Sequence, residues 1–593
     1  MHPAQKQVCP SRAASKQFPM KQLLTILLPS QRILVTLAPF VIALGLATPV
    51  RAIDRTVTSA ADDGAADTLR SVIGAANAED NIIFDPALNG QTISLVGGEL
   101  VINKILAITG PGPNNLAIVN LNGRVFHTEH VGPVVMFRVS SLRLTGLLKG
   151  APGVDGQAGA INGTDGEGVI GGCILNESQC SLVASNCFFD GCQAVGGNGG
   201  QGYNLGIKDP GNGGNGGMAL GGAIYSPILA DAQILNCTFA GNAAIGGQGG
   251  NGYNSGTGGQ GGPAQGGALI SAYSQTILIV NSTFYGNSAT GGSGGNGGDG
   301  WLLNPIPANG GNGGGGGDAE GGAIAFPSGA CPAPDCPGLV HDTIHKNSIV
   351  PGQGKKGGLG VNGGANGNDA LHGTARGGGL FREGGGHLPI QNTIIAGNFA
   401  TISFPGGNFT GPDVHGVMVS QKYNLIGIVD GDSSGWEPAG SDLTGTSAAP
   451  IDPLLGPLQN NGGNIPTLAP TGCSPAIDSG TASAFTEDQV FQPRPVSITA
   501  LPHLLLGGDG SDIGAFELQS FPSDAPTISI SLVNDSIILE WPPSFSCFTL
   551  QSSVSLFPDS WVNVSETVSI VGNRSRVVTP RSTGKRFFRL IHP

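Results

Sequence analysis

The side chains of this chain that could exchange protons or bind a metal ion are densest in one short segment, His341-Asp342-Thr343-Ile344-His345. Two imidazoles and a carboxylate at this spacing could act as general acid, general base or metal ligands. The segment also stands where the chain elsewhere repeats an Asn-x-Thr pattern, as in Asn236-Cys237-Thr238. We therefore favour a structural role in a repeat, with a functional site as the alternative.

A second polar group lies near the C-terminal end and consists of Arg494 with Asp488, Asp512 and Glu517. One guanidinium among three carboxylates is typical of an ion pair that holds irregular segments together. We interpret this group as an ion-pair clamp in the last coils of the fold.

The remaining acidic residues argue against chemistry on sugars. Glycosidases need two or three converging carboxylates, and β-helix polysaccharide lyases need acidic calcium ligands beside an Arg or Lys base. Between residues 151 and 400, Asp and Glu are mostly isolated, and none recurs at strand spacing. Ser-His-Asp and phosphate-loop patterns are missing, and no Cys-x₂-Cys pair marks a metal site. The sequence therefore predicts no catalytic residue and no metal site. A carbohydrate-active β-helix enzyme, either a lyase or a glycoside hydrolase, is the alternative.

Two aromatic residues suggest binding instead. Tyr203 and Tyr253 occupy equivalent Gly-Tyr-Asn positions in successive glycine-rich tracts, 50 residues apart. Regularly spaced tyrosines on a repetitive surface could stack on sugar rings or on another protein. Each tyrosine could equally anchor its own tract to the fold, and both interpretations stay open.

An internal repeat determines the predicted architecture. A Gly-Gly block is followed at a nearly constant offset by a short alternating apolar block, five times in all. The Gly-Gly blocks begin at Gly171, Gly221, Gly266, Gly321 and Gly377. Such self-similarity indicates stacked β units that share one core. The sequence predicts an all-β fold, a parallel β-helix that is right-handed because parallel crossovers almost always are.

The register of the repeat also predicts two columns of stacked side chains. An inward column should contain Phe189, Phe239, Phe284, Ile344 and Ile395. A second column, at a turn, should contain Asn242, Asn287, Asn347 and Asn398, whose amides could hydrogen-bond from coil to coil.

Glycine-rich tracts separate the coils, at 193–220, 243–265, 288–320 and 348–376, and hold 44 of the 102 glycines. Their Gly-Gly-x period of three suits polyproline-II-like helices packed through bare glycine faces. Ordering glycine has a high entropic cost, so we expect mobile loops, with the packed arrangement as the alternative. Calcium-binding repeats are a weak possibility because acidic residues such as Asp299 and Asp318 are few. No other cofactor is expected.

The compartment follows from charge and from the N-terminus. A net charge of −13 without a basic cluster argues against nucleic-acid partners. Residues 1–52 resemble a secretory signal peptide, with the apolar run 33–46 and cleavage after Val50-Arg51-Ala52. Met20 is an alternative start. We expect an extracellular or cell-surface protein that meets a membrane only through export or anchoring.

Five segments are predicted: a signal peptide at 1–52, an N-terminal cap with the first coils at 53–150, β-helix repeats with Gly-rich loops at 151–398, terminal coils at 399–518, and a small β-sandwich-like module at 525–593. The cap should contain a short amphipathic helix with Asp67 as its N-cap residue.

Export permits disulfides between the cysteines of the mature chain. Cys331 and Cys336 are the expected local pair. Cys187 should lie above Cys237 in the inward column, where the two are either bridged or buried as small apolar side chains.

Several motifs resemble known bacterial families. Pairs of Gly-Gly-Ala blocks with Phe239-Ala240-Gly241-Asn242 or Phe284-Tyr285-Gly286-Asn287 resemble the repeats of polymorphic outer-membrane proteins and related β-helix surface proteins. Ser474–Gly480, Asp488-Gln489 and Asp512–Glu517 resemble the choice-of-anchor Q domain, and the tail resembles C-terminal modules of secreted proteins from the Planctomycetes–Verrucomicrobia group. The resemblance implies an exported β-helix with a C-terminal sorting or anchoring module.

Taken with the missing catalytic pattern, these features predict a non-enzymatic surface or matrix protein. Its expected role is adhesion or the binding of polysaccharide or other cell-surface components, with Tyr203 and Tyr253 as the candidate ligand-binding residues.

Overall fold

A computed structural model describes most of residues 52–591. The ranges it leaves undescribed within these limits are 133–134, 159, 204–208, 272–276, 302–305, 328–337, 385–387, 402–403, 405–407, 431–435, 499–506, 521–526, 543–547, 558–559 and 573. The predicted signal peptide up to residue 51 and the pair Cys331 and Cys336 lie outside the described residues.

The described chain is nearly all β and its strands form long parallel sheets, which confirms the all-β, parallel-solenoid part of the predicted fold. Four sheets run along its length, and every strand pair within them is parallel. Successive coils place corresponding short strands side by side in each sheet, so that Ile224 lies beside Ile174 on one side and Leu269 on the other. The Gly-Gly blocks therefore stack coil on coil, as their spacing predicts.

The strands of each sheet are given in spatial order. The first sheet contains Asp54–Val57, Asn81–Phe84, Leu106–Thr109, Val135–Ser140, Cys180–Ser185, Asp231–Leu235, Ile277–Val280, Leu339–Val340, Pro389–Gln391, Met418–Ser420 and Trp436–Glu437. The second contains Val169–Ile170, Ala219–Leu220, Ala264–Gln265, Ala319–Glu320, Thr374–Arg376 and Asn408–Thr410. The third contains Leu100–Ile102, Phe126–Thr128, Ile174–Asn176, Ile224–Ser226, Leu269–Ser271, Ile324–Phe326, Leu380–Arg382 and Val414–His415.

The fourth sheet branches after its third strand. Its common strands are Gln91–Ser94, Leu116–Asn120 and Arg143–Lys149. One branch continues through Phe188–Asp190, Thr238–Ala240, Thr283–Tyr285, Thr343–His345, Ile394–Ala396, Leu425–Ile426 and Leu443–Thr444. The other contains Gln193–Val195, Ala243–Ile245, Ser288–Thr290, Ser348–Val350 and Phe399–Ala400, and leads into the glycine tracts.

The inward column lies in the core as predicted. Phe189, Phe239 and Phe284 are fully buried and stack ring on ring, with centroids 4.4 and 4.6 Å apart. Ile344 and Ile395 continue the column in register. In-register stacking buries these large apolar side chains from one coil to the next, which is the main favourable term in a solenoid.

The asparagine column is also confirmed. The Nδ2 of Asn242, Asn287 and Asn347 each donates a 2.8 Å hydrogen bond to the Oδ1 of the next asparagine. Asn398 Nδ2 then donates to Asp413 Oδ1 at 2.9 Å, which extends the ladder by one residue. All are buried, so this ladder satisfies polar groups that would otherwise be costly inside the fold.

Asp413 gives the ladder a pH dependence, because burial raises the pKa of its carboxyl to about 7. The pKa of this carboxyl is higher in the folded protein than its value of about 4 in the unfolded chain, so its protonated form stabilises the fold. This contribution is fully present below about pH 4. That stability is lost as pH rises through about 7. Asparagine cannot ionise, so the free energy of unfolding of Asp413→Asn, relative to that of the wild type, should rise by about 2 kcal/mol from pH 5 to pH 8. Denaturation at both pH values measures this, and parallel pH profiles would contradict it.

The glycine tracts are ordered and packed, so the expectation of mobile loops is wrong. From each coil one tract leaves the solenoid and a second returns to it. Hydrogen bonds recur every third residue, as from Gly196, Gly199 and Gly202 to the next tract, at 2.7–2.8 Å. This recurrence is that of polyproline-II helices. We call the tracts together the glycine array; its five layers comprise residues 150–168, 196–217, 246–262, 291–317 and 351–373, apart from the undescribed residues.

Outgoing and returning tracts pack against one another through glycine. Gly247 N–H donates to Gly217 O and Gly217 N–H to Gly197 O, each at 2.8 Å, so the bonds cross between the two halves of the array. A Cβ on Gly216 of a returning tract would lie 1.9 Å from Gly247 O of an outgoing one, where only hydrogen fits. The entropic cost of ordering glycine is offset because the backbone groups of each tract bond to its neighbours.

Both ends of the array are closed by side chains. In the last layer, His372 Nδ1, Asp369 Oδ1 and Asn366 Oδ1 accept the N–H groups of residues 354, 357 and 360, at 2.8–3.0 Å. In the first layer, Glu167 Oε2 and Thr164 Oγ1 accept those of residues 151 and 154. Residues 310, 313 and 316 of the neighbouring layer are glycine at the positions that carry the last-layer caps. These caps cover edges at which a further tract would otherwise pair.

The packing predicts opposite responses at two adjacent glycines. A Cβ on Gly314 would lie 1.8 Å from Gly259 O, whereas one on Gly315 would have its nearest neighbour, Leu371 O, at 3.6 Å. We expect Gly314→Ala to destabilise the protein by about 2–3 kcal/mol through overpacking. Gly315→Ala should stay within about 0.5 kcal/mol. Chemical denaturation with hydrogen exchange measures both, and equal responses would mean that the tracts are not packed.

The solenoid ends earlier than predicted. Its last parallel strand is Leu443–Thr444, and residues 446–518 form an irregular segment that we call the strap. Among its described residues, 446–498 and 507–518, the strap contains isolated antiparallel bridges but no strand, and it lies along the outside of the fourth sheet. The predicted terminal coils therefore hold only as far as residue 444, because no strand spacing after that point matches the preceding coil.

A helix at Leu69–Ala75 buries Leu69, Val72 and Ile73, and a 3₁₀ turn follows at Pro86–Leu88. The residue before the helix is Thr68 rather than Asp67, and its side chain makes no capping hydrogen bond. The C-terminal residues form two antiparallel sheets. One contains Ser529–Val533, Ser536–Trp541, Ser575–Pro580 and Ser569–Ile570, and the other Val562–Asn563, Thr549–Ser553 and Phe587–Ile591.

Cysteines 187 and 237 are stacked but not bridged. Cys187 N–H points at Cys237 Sγ from 3.5 Å, and both thiols are free and buried. A disulfide instead joins Cys173 to Cys192 within one coil. The alternative of small buried apolar side chains is thus the one that the packing supports.

Candidate functional site

The glycine array presents two candidate binding features, its tip and its flat faces. Tyr203 and Tyr253 lie at the tip, where outgoing tracts of adjacent layers end. Their backbones are fixed by hydrogen bonds, from Tyr203 N–H to Ile161 O and from Tyr253 N–H to Gly211 O. Their side chains remain 38% and 44% exposed. The backbone anchors each tip while the ring stays available, so both interpretations of these residues describe part of the arrangement.

Every third residue of the tracts points outward and forms one of the two faces. The return face includes Asn162, Asp165, Asn212, Asn215, Thr257, Gln260, Asn312 and Asn368, and its second column continues through Gly315 to the exposed Leu371. The outgoing face consists of Asp155, Asn198, Gln201, Gln248, Asn251, Ser293, Asn296 and Lys356. These side chains are exposed or half-exposed.

Side-chain oxygens hold each face in register. Asn212 N–H donates to Asn162 Oδ1, and Thr257 N–H donates to Asn212 Oδ1, both at 2.8 Å. On the outgoing face, Asn251 N–H donates to Gln201 Oε1 at 2.8 Å. The expectation of mobile loops gave the Asn and Gln residues no such role, so the sequence did not predict it.

The His341 segment is buried and serves the fold. His341 Nε2 lies 3.3 Å from Ala482 O of the strap, and His345 Nδ1 lies 2.7 Å from Ala396 O of the next coil. Asp342 accepts the backbone N–H groups of residues 282 and 340. Burial lowers the pKa of both imidazoles and raises the pKa of Asp342. The three side chains point to different partners and share no exposed site.

The Asn-x-Thr pattern has a structural explanation in the strap. Asn281 Nδ2 donates to Glu487 O at 3.1 Å and Asn392 Nδ2 to Asp512 O at 2.8 Å, while Thr238 Oγ1 donates to Pro466 O at 2.7 Å. The first residue of the pattern also has a positive φ, 48° at Asn281 and 58° at His341. Asn and His are among the residues that tolerate this conformation best. His341 therefore replaces asparagine as a contact to the strap.

The ion-pair clamp lies in the strap, as expected from the sequence. Arg494 and Glu517 are fully buried and paired at 3.0 Å. Arg494 also donates to Gly514 O at 2.8 Å and contacts His341 Nδ1. Burial raises the pKa of Asp512 to about 7. Burial, together with the nearby charge of Asp512, raises the pKa of Glu517 to about 8, while the Arg494 charge acts in the opposite direction on both carboxyls. The clamp joins the strap to the coil that carries His341.

A further polar cluster, which sequence reasoning missed, lies on the third sheet. His127 Nδ1 lies 2.8 Å from Glu99 Oε1, and Nε2 lies 2.9 Å from Glu177 Oε1. Arg124 pairs with Glu99 at 3.2 Å. These contacts raise the pKa of His127, mainly through its hydrogen bond to Glu99. Both carboxylates are engaged by cations. In the structure, His127 pairs with Leu175, two residues before Glu177. Alignment of these two coils in the sequence would have placed the histidine and the glutamate close together.

Among the described residues, no group of three or more His, Cys, Asp or Glu side chains is placed to hold a metal ion. Within the same part of the chain, no helix has the length and apolarity needed to cross a bilayer.

Comparisons with known proteins add no family. No protein family matches the chain, and no curated protein matches it. Among solved structures, the chain is similar to ORF18 of Geobacillus virus E2, with 10% identity and a TM-score of 0.22. The match covers 66% of this chain and 60% of that one, so the chain spans less than two thirds of the matched structure. A likeness at this level carries no argument about fold or function.

Proposed function

We propose that this protein is exported and acts outside the cell as a non-enzymatic adhesion or matrix protein that binds polysaccharide or other surface components. The observation that carries the proposal is the ordered glycine array, which holds Tyr203 and Tyr253 at equivalent positions with backbones hydrogen-bonded and rings exposed. Rigid aromatic side chains suit ligand binding, because little conformational entropy is lost when they make contact.

The polar clusters support binding rather than catalysis. The His341 segment and the Arg494 clamp are buried and bonded within the fold. Glu99 and Glu177 are held by His127 and Arg124. A glycosidase needs a pair of carboxyls that can reach the sugar, and these groups are engaged elsewhere.

The remaining parts of the proposal rest on the sequence. The N-terminal segment 1–52 suggests export, and the strap contains the stretches that resemble a choice-of-anchor Q domain. The two antiparallel sheets after residue 528 are suited to a sorting or anchoring module. We also propose right-handed winding of the solenoid, and a capping role for the helix Leu69–Ala75, whose buried side chains face the first coils.

The tip residues provide the direct test. In the mature chain, Tyr203→Ala with Tyr253→Ala should weaken binding to the polysaccharides it recognises about tenfold, because stacking surface at two adjacent layers is lost. A glycan array followed by pull-down on the recognised polysaccharide measures this. Phe557→Ala serves as the control, since Phe557 is 76% exposed in the C-terminal module. Undiminished binding by the double variant would remove the tip from the site.

An activity assay tests the enzyme alternative on the same protein. We expect no release of sugar from the bound polysaccharides, with or without calcium. Turnover that disappears on changing one Asp or Glu would move the protein to the carbohydrate-active enzymes.

A further inference from the structure

The return face of the glycine array presents hydrogen-bond donors whose direction is fixed by the fold. A backbone N–H can only donate, so the atom of Asn162, Asn212, Asn215 or Asn312 that meets it must be the amide oxygen. Each of these four oxygens accepts from the next layer at 2.8–2.9 Å. The amide NH₂ group is the other branch of the same planar group, so the ladder bond does not use it, and it belongs to a side chain that is exposed or half-exposed.

These donors form a regular grid. Outward positions recur every third residue along a tract, which is about 9 Å in a polyproline-II helix, and neighbouring hydrogen-bonded layers lie about 5 Å apart. The column formed by Asn162, Asn212, Thr257, Asn312 and Asn368 runs through all five layers without a charged side chain. The corresponding outgoing column begins at Asp155 and ends at Lys356. The second return column begins at Asp165, and the second outgoing column is uncharged but mixes Asn198, Gln248, Ser293 and Gln353. The return column that starts at Asn162 contains four asparagines and is the most uniform of the four columns.

The chemistry of the grid selects a class of ligand. Uncharged donors at fixed spacing match uncharged oxygen acceptors that also repeat, such as the hydroxyl and ring oxygens of a sugar polymer. An anionic polymer is disfavoured by the net charge of −13 and by Asp165 on the same face. Because each amide is already held by the ladder, binding costs little side-chain entropy.

We infer that the return face binds a neutral polysaccharide, whose oxygens accept hydrogen bonds from the amide NH₂ groups of Asn212, Asn215 and Asn312. This inference rests on the proposed function, since it specifies which ligand the array binds and where. A chain lying along the return tracts also reaches the tip at which Tyr203 and Tyr253 are exposed.

Substitution by aspartate tests the NH₂ donors without removing the oxygens that hold the fold. The triple variant Asn212→Asp, Asn215→Asp, Asn312→Asp keeps the oxygen that each ladder bond needs and removes all three NH₂ groups. Asp165 already serves as such an acceptor, from Asn215 N–H, so a carboxylate fits the ladder. The matched control is Asn198→Asp, Gln201→Glu, Asn251→Asp on the outgoing face, where the same three oxygens accept ladder bonds. Both variants change the net charge equally.

The probes are cellulose, chitin, starch and mannan as neutral polysaccharides, with gelatin as a protein surface. We expect the wild type to bind at least one polysaccharide, the return-face variant to bind it at least tenfold more weakly, and the control to stay within threefold. Hydrogen exchange in the array should be unchanged in both variants.

Each other outcome overturns the inference in a recognisable way. Equal binding by all three proteins, or equal loss in both variants, would remove the return face and leave polysaccharide binding standing. Wild-type binding to gelatin alone would replace the sugar ligand with a protein. Binding to none of the probes would overturn the inference, while the glycan array decides the proposed function separately.

Discussion

Replacing Arg494 with methionine is expected to destabilise the protein by about 3–5 kcal/mol, because removing one partner of a buried ion pair leaves an uncompensated charge. Arg494 and Glu517 are both fully buried. The guanidinium also offsets the burial of Asp488 and Asp512, since its charge lowers the pKa of each carboxyl. Denaturation of wild type and variant at pH 8 measures the loss. Hydrogen exchange should show the strap opening before the coils.

The sign of the pH effect follows from the same carboxyls. Burial already raises the pKa of Asp512 and Glu517, and without the arginine their pKa values rise further. Their protonation at low pH removes the uncompensated charge, so the loss at pH 5 should be smaller than at pH 8.

Arg143→Met is the control for the clamp, since Arg143 pairs with Asp190 on the surface and is 48% exposed. Exposed pairs of this kind contribute about 0–1 kcal/mol. An Arg494 variant as stable as the Arg143 variant would show that the strap is held by other contacts.

Much of the solenoid could be predicted because the same types of side chain recur at the same position of each coil. Phe239 and Phe284 follow their Gly-Gly blocks at the same offset, and only one register puts both in the core. The asparagine column follows from the same offset. Burial on one face makes a one-residue slip costly, which is why the pattern specifies the stacking so strongly.

The glycine array could not be predicted in the same way, because its order is a property of neighbouring tracts. Considered alone, a tract such as 246–262 has a high entropic cost and no side chains to bury. Its stability comes from N–H groups that meet carbonyls of tracts about 50 residues away. The first layer was missed altogether. Val154, Thr164 and Glu167 break its glycine period at positions that face no earlier layer.

The site residues show the same division. The pattern placed Tyr203 and Tyr253 in equivalent positions, but only the folded array shows that their rings stay exposed while their backbones are fixed. The sequence suggested a catalytic or metal-binding role for His341, because the residue that it contacts, Ala482, lies 141 residues away in an irregular segment. No local sequence pattern predicts such a contact. The return face was hidden for a related reason, since the orientation of each amide depends on a backbone N–H in another layer.

Phe239→Ala tests the core that supports all of this, and we expect it to destabilise the protein by about 3–5 kcal/mol. The variant loses the transfer free energy of a fully buried ring. It also leaves a cavity between Phe189 and Phe284, which stack on the two sides of Phe239. Strands above and below are tied by their ladder hydrogen bonds and cannot close the gap freely. Chemical denaturation measures the loss.

The matched control is Phe399→Ala, which removes the same ring from a strand where it is 47% exposed. We expect this change to stay within about 0.5 kcal/mol. The contrast between the two variants isolates burial from the loss of an aromatic side chain as such. If both cost the same, the inward column does not carry the stability of the solenoid. The rigid support that the glycine array needs would then have to come from the tracts themselves, and Gly314→Ala would become the more damaging substitution.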